Sequence, residues 1–182
     1  MNNVRLIFVM GVSGTGKSTL AHALACALHG QYIDADDFHS DAAKAVMATG
    51  QSIDTNMRQQ WLARLAKHLD SQQNNTCVVA YSGLISQQRK QLMAIKPNSL
   101  GLLLTGDRAL ISSRLGNRQG HFASSDMLNS QLKLFEPINA DETNITTIPI
   151  DLTTHEQVDR ALAVIKSSDK PVSRLTNESS RE

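Results

Sequence analysis

The sequence predicts an α/β protein built as a three-layer sandwich, a parallel sheet held between helices. Three observations predict it. Short, nearly continuous apolar runs recur at 5–10, 77–82 and 100–105, which is the composition of strands buried on both faces. Stretches with apolar residues at helical spacing alternate with them. The 182 residues, 41% hydrophobic and 19% charged, suit one soluble domain with a sizeable core.

Taken in order, RLIFVM at 5–10 is the first strand. In the helix after it, Leu20, Leu24 and Leu28 fall at i, i+4 and i+8 and make one apolar stripe. QYIDAD at 31–36 is a weaker strand candidate, and the helical segment 57–70 turns Trp61, Leu62, Leu65 and Leu69 to one side, so Trp61 reads as core. CVVAYS at 77–82 and LGLLLT at 100–105 are buried strands, and a helical segment begins near Asp107. TTIPID at 146–151 is the second weak strand, followed by a helix over 154–166 with Val158, Leu162 and Ile165 in line. Five strands alternating with helices make the sandwich. One domain spans 1–166; the tail 167–182 is polar, charged and aperiodic and is expected to be disordered.

Charge and composition exclude several classes of function. Eighteen basic side chains stand against 17 acidic ones, for a formal net charge of +1, so a nucleic-acid binder with a basic stripe is not expected. No apolar run is long enough to span a bilayer. The N-terminal MNNVRLIFVM has no cleavage-site pattern after it, and it reads as a strand and not a signal peptide. Cys26 and Cys77 sit in apolar segments without metal-type spacing. Both are expected to be buried and reduced, in a cytoplasmic protein.

The loop between the first strand and its helix carries the clearest chemistry. Gly11, Gly16, Lys17 and Ser18 satisfy G-x-x-x-x-G-K-[ST]. Glycines let successive backbone N–H groups turn inward as an anionic cradle at a helix N-terminus. Lys17 reaches β- and γ-phosphates, and the Ser18 hydroxyl ligates Mg²⁺. The spacing of Gly11, Gly14 and Gly16 does not fit a dinucleotide fingerprint, so the loop predicts a mononucleotide triphosphate.

Three later stretches predict where the γ-phosphate goes. IDADDFH at 33–39 ends the second strand, on the edge where open α/β sheets bind ligands. Strand alternation puts Asp34 and Asp36 on one side and Asp37 on the other. One of the first two carboxylates serves Mg²⁺ through its water shell, the other an attacking hydroxyl. RLGNRQGHF at 114–122 spaces Arg114 and Arg118 at i, i+4 among glycines, the makings of a mobile lid over about 114–136. Arg58 and Arg89 present planar forks suited to a substrate carboxylate or phosphate, and Ser82 with Gly83 closes the third strand at the same edge.

With these residues assembled, the chain resembles the gluconate kinase (gluconokinase) family of small phosphate-loop kinases. The matching pieces are MGVSGTGKST, IDADDFH, M-x-x-G at 47–50, R-x-x-W-L at 58–62, S-x-L at 82–84, L-x-G-D at 104–107, RLGNRQGHF and EPINADE at 136–142. They run in family order over about 4–166. The resemblance implies a nucleoside-monophosphate-kinase-like fold of strand order 2-3-1-4-5, and transfer of the ATP γ-phosphate to the 6-hydroxyl of D-gluconate. By that resemblance Gly11, Val12, Ser13, Gly14, Thr15, Gly16, Lys17, Ser18 and Thr19 hold ATP with Arg114 and Arg118. Asp36 is the base and Asp34 stands near Mg²⁺ with Ser18. His39, Arg58, Ser82, Arg89 and His121 line the sugar-acid site, and the assembly is often a homodimer. Lys17, Asp36 and Arg118 carry the catalysis.

The acceptor half departs from the family pattern. HP becomes His39–Ser40, DDDR becomes DTNMR with only Asp54 kept, and C-S-x-L-K becomes YSGLI, which puts Ile85 where a lysine is usual. Two further readings therefore stay open at this point: a kinase of another small acid, shikimate-like or a different sugar acid, and a nucleotide-binding paralogue without turnover.

Overall fold

The computed structural model describes residues 5–49, 51–73, 76–116 and 125–168. Five parallel strands lie in the order β2-β3-β1-β4-β5: β1 Leu6–Met10, β2 Gln31–Asp34, β3 Cys77–Tyr81, β4 Leu100–Thr105 and β5 Ile145–Pro149. This is the expected order. Because β1 is central, its residues alternate between two cores. Ile7 and Val9 face α1 (Lys17–Ala27), α5 (Arg108–Gly116) and α7 (Thr154–Ser168), through Leu20, Leu24, Ile111, Leu115, Ala161 and Ile165. Leu6, Phe8 and Met10 face α3 (Thr55–Asp70) and α4 (Ser86–Met93), through Trp61, Leu62, Leu65, Leu69 and Leu92.

Three helices form where the sequence pattern assigns none: α2 (Asp41–Ala48), α4 and α6 (Ser125–Leu134). At 8 residues, α2 and α4 are too short for a periodic signal. One departure from the family pattern, Ser40, and the one acidic residue kept before the helix arginine, Asp54, turn out to be helix caps. Ser40 Oγ accepts from Ala43 N at 3.2 Å to start α2, and Asp54 Oδ1 accepts from Met57 N at 2.7 Å to start α3. Helix α7 reaches Ser168, two residues past the expected end of the domain; residues 169–182, and with them most of the expected disordered tail, lie outside the described residues. Cys77 is buried, but Cys26 is exposed on α1, so the expectation of two buried thiols fails there. Its apolar neighbours Leu24 and Ala25 take the inner side of the helix, and Cys26 is turned outward. Among the described residues no helix is long and apolar enough to cross a membrane.

One polar cluster fixes the floor of the site. Arg89 on α4 has no exposed surface, and its guanidinium donates to Glu142 twice (2.7 and 2.8 Å), to the carbonyls of Gly83 (2.9 Å) and Glu136 (3.0 Å), and to that of Pro137 (3.2 Å). All five N–H groups are thereby used. Arg89 therefore corrects a sequence-based expectation: it grips no substrate, because it is spent on pinning the segment after α6 to the turn after β3. Glu142 also accepts from Asn139 N (2.9 Å) and Ser86 Oγ (3.2 Å), while Glu136 accepts from Ser86 N (2.7 Å) and donates its own N–H to Leu84 O (2.8 Å). The Arg89 hydrogen bonds hold the Glu142 carboxyl down at about 2, against an ordinary 4.5.

Removing one partner strands the other's buried charge, so Arg89→Ala is expected to lower unfolding free energy by about 3–5 kcal/mol, read from the urea midpoint. Glu142 is depressed in the folded state, so its contribution is present above pH 4.5 and is lost as pH falls toward 2. Glu142→Gln should flatten the stability profile across that window in acid titrations followed by circular dichroism.

Candidate active site

Parallel pairing sends the loops after β1, β2 and β3 to one edge. After β1 the phosphate loop turns through Gly14 (φ +86°) and Gly16 (φ +96°), both left-handed conformations that favour glycine. At Gly14 a Cβ would also meet Leu115 Cγ at 2.7 Å, so α5 closes against the loop only because that position is bare. Gly16 is the N-cap of α1 and supplies no side-chain cap, which leaves the first-turn N–H groups and the positive helix end directed at the loop. Thr15 is buried and donates its hydroxyl to Val12 O at 2.8 Å, and Lys17 Nζ donates to the same carbonyl at 3.1 Å. The loop is already shaped as a cradle for phosphate.

After β2 the structure gives a different reason for the acidic pair than strand alternation. The strand stops at Asp34, and residues Ala35–Phe38 form a 3₁₀ turn. Asp34 Oδ1 caps that turn by accepting from Asp36 N at 3.0 Å. Both carboxylates thus face one cavity, while Asp37 does not line it. Asp34 Oδ2 accepts from the Tyr32 hydroxyl at 2.9 Å; burial, then the Asp34 carboxylate, pushes that hydroxyl up to about 12, with Ser18 opposing. Asp36 is raised above the ordinary carboxylate range by the protein crowded around it and by Asp34, with Lys17 and Lys44 opposing, although its side chain stays 81% accessible from the cavity.

The cavity has a volume of about 600 Å3 and is lined by Lys17, Ser18, Asp34 and Asp36 together with Lys44 and Arg58. A second cavity of about 220 Å3 opens on the other flank of the loop, against Thr19, Arg114, Thr154 and Gln157. Gly14 and Gly16 line both. A triphosphate lying along the loop therefore joins a cavity with an acidic pair to one without.

A family model described as an AAA domain matches residues 6–138. A probable gluconokinase from Dictyostelium discoideum is 35% identical over 157 residues, covering 81% of this chain and 78% of its own, and the thermoresistant gluconokinase of Escherichia coli K12 is 34% identical over 160 residues, 87% and 91%. The chain belongs to the gluconokinase family. Solved structures agree. A gluconokinase from Sinorhizobium meliloti 1021 superposes with a TM-score of 0.81 at 29% identity, over 92% of this chain and 94% of that one. A sugar kinase from Janibacter sp. HTCC2649 superposes at 0.82 and 31%, over 90% and 95%. A shikimate kinase from Acinetobacter baumannii, at 16% identity and a TM-score of 0.59, shares the fold.

The gluconokinase family pattern and the geometry divide the expected site residues as follows. Ser13, Gly14, Gly16, Lys17, Ser18, Asp34, Asp36, His39, Arg58 and Ser82 line the larger cavity, and Thr15, Thr19 and Arg114 the smaller. Gly11 and Val12 line neither. Gly11 N donates to Ser82 O at 3.2 Å, and Val12 supplies the carbonyl that Lys17 and Thr15 hold. Arg114 Nη2 donates to Ile150 O at 2.6 Å. Arg118 and His121 lie outside the described residues.

Trp61 is core, as read, but it is also a wall. It is 5% exposed, donates Nε1–H to Ala35 O at 2.6 Å, and stacks on His39 with ring centroids 4.6 Å apart and planes 8° from parallel. Burial first, then the charges of Arg64 and Lys44, push His39 down to about 4, which leaves it neutral near pH 7. Sequence reasoning missed Tyr81, Lys44, Gln88 and the α6 face of Met127, Ser130, Gln131 and Leu134, all on the cavity. The i, i+3, i+4, i+7 spacing of the α6 set was the available signal.

Among the described residues two buried side-chain polar atoms have no hydrogen-bond partner, His39 Nδ1 and the Tyr81 hydroxyl, and both residues line this cavity. A buried polar group without a partner costs about 1–3 kcal/mol. Tyr81→Phe is therefore expected to leave Tm unchanged or raised in differential scanning calorimetry. The same variant should raise the acceptor KM several-fold and leave the ATP KM alone.

Proposed function

We propose that this protein transfers the γ-phosphate of ATP to a hydroxyl of a sugar acid, with D-gluconate the preferred acceptor and 6-phosphogluconate the product. The observation that carries this reading is the shared cavity: Lys17 and Asp36 open onto the same space. The names borne by the family relatives and by the Sinorhizobium meliloti structure support the sugar-acid acceptor.

The residues divide the work by charge. Lys17 and the loop N–H groups neutralise the phosphates, and the smaller cavity takes the nucleoside end. Ile85 lines the larger cavity as an apolar patch where the family pattern has a lysine, yet Lys44 and Arg58 line it too, so two cations remain to meet the acceptor's carboxylate. His39, neutral, and the Tyr81 hydroxyl offer hydrogen bonds to the acceptor's hydroxyl groups. Asp36, more basic than an ordinary carboxylate, takes the proton of the attacking hydroxyl as its oxygen bonds to the γ-phosphorus and the bond to the ADP oxygen breaks.

The donor set also fits a magnesium ion. Ser18 and Asp34 would offer it hard oxygens on the larger cavity, while among the described residues no group of three or more His, Cys, Asp or Glu side chains stands ready to cage a metal. That suits an ion that keeps waters and phosphate oxygens as ligands. Bound there with ATP, it would supply charge neutralisation to the phosphates.

Asp36→Asn is expected to lower kcat by on the order of 10²-fold with the ATP KM little changed, since a positioned base contributes about that much and a loose transition state asks little more. In the wild type the acid limb of kcat/KM should lie above the ordinary carboxylate range, because Asp36 must be deprotonated to act. ADP release is to be compared across gluconate, its epimers and shikimate. Preference for another sugar acid overturns the assigned acceptor, and no release with any of them overturns the kinase reading.

A further inference from the structure

Helix α6 roofs the larger cavity with one face, Met127, Ser130, Gln131 and Leu134. From that face the Gln131 amide reaches across 118 residues of sequence to the phosphate loop. Its Oε1 accepts from Ser13 N–H at 2.6 Å, and its Nε2 donates to Ser13 Oγ at 3.0 Å. Met127 Sδ lies 3.5 Å from the same hydroxyl.

The grip falls at a particular place on the loop. Ser13 N–H belongs to the same peptide unit as the Val12 carbonyl, and that carbonyl accepts from Lys17 Nζ at 3.1 Å. One side of the peptide is held by the lysine that reaches β- and γ-phosphates, the other by the roof helix. The base of α6 is fixed independently, because Glu136, two residues past its end, is bonded to Leu84, Ser86 and Arg89. The helix is thus held at its base through Glu136, on its inner side by Leu128 in the core and on its flank by Asn129 to Arg108, and its contact to the loop falls on Ser13, which lines the same cavity as Asp36.

The geometry points to Gln131 as a positioning residue for the γ-phosphate: by holding Ser13 it sets that end of the loop, and by riding on α6 it makes the roof of the acceptor cavity answer to a triphosphate and not to a diphosphate. The inference rests on the reading of this chain as an ATP-dependent kinase. It goes beyond that reading by naming the residue through which nucleotide and acceptor sites are coupled. Coupling of this kind is reciprocal, so what steadies the roof also tightens the hold on ATP.

The test measures binding of ADP and of a non-hydrolysable ATP analogue to wild type, Gln131→Ala and Gln131→Glu by isothermal titration calorimetry, without acceptor. Because no acceptor is present, a wrong assignment of gluconate leaves the result intact. The alanine variant should bind the analogue about tenfold more weakly, the scale of a lost hydrogen bond to a charged or charge-facing group, with ADP affinity unchanged. The glutamate variant keeps an oxygen for Ser13 N–H to donate to, and the Ser13 hydroxyl then donates to the carboxylate, so its Tm should match wild type. Its negative charge nonetheless stands beside the γ-phosphate, so it should bind the analogue more weakly still. In turnover the alanine variant should show a raised acceptor KM together with a lower kcat. Equal weakening of both nucleotides, or wild-type analogue binding by the glutamate variant, overturns the assignment.

Discussion

The site depends on the parallel pairing of β1 with β3 on one side and β4 on the other. Parallel strands end at a common edge, so the loops leaving β1, β2 and β3 are brought together whatever their own sequences. The phosphate loop follows β1 at the centre of the sheet, the acidic turn follows β2, and the Ser82–Gly83 turn follows β3. A ligand resting on the first of these meets the other two. The two cores on either side of the sheet keep that edge rigid, since each strand of the central three is buried on both faces.

On this edge the chain separates charge by position. Lys17 and backbone N–H groups gather at the loop, and two carboxylates stand at the adjoining turn on the same cavity. Asp36 is pushed toward greater basicity by its crowded surroundings and then by Asp34, and Lys17 opposes the shift. The aromatic wall of Trp61, His39 and Tyr81 keeps the acceptor side apolar enough for a few polar contacts to matter. Its two unpartnered polar atoms are buried on residues that line the cavity, whereas Arg89 and Glu142 are paired with one another beneath it.

The roof is a separate matter. Helix α6 joins the rest of the protein through Glu136 past its base, Leu128 in the core, Asn129 against Arg108 and Gln131 against Ser13, so its place over the cavity is decided by contacts far apart in sequence.

The sequence by itself determined the fold class, the five strands, the phosphate loop and the acidic pair. Each of these has a local cause: continuous apolar runs for buried strands, glycine spacing for the loop, and carboxylates at a strand end. Family resemblance added the strand order and the acceptor class. The short helices α2 and α4 escaped because eight residues hold too little period to detect. Only the tertiary structure decided that Arg89 is a buried clasp and not a substrate clamp, that Tyr81 faces the cavity, and that Gln131 holds Ser13. An arginine, a tyrosine and a glutamine look the same in sequence whether they meet a ligand, a core or a distant loop; Glu142 lies 53 residues from Arg89 and Ser13 lies 118 from Gln131, and only the folded chain brings each pair into hydrogen-bonding distance.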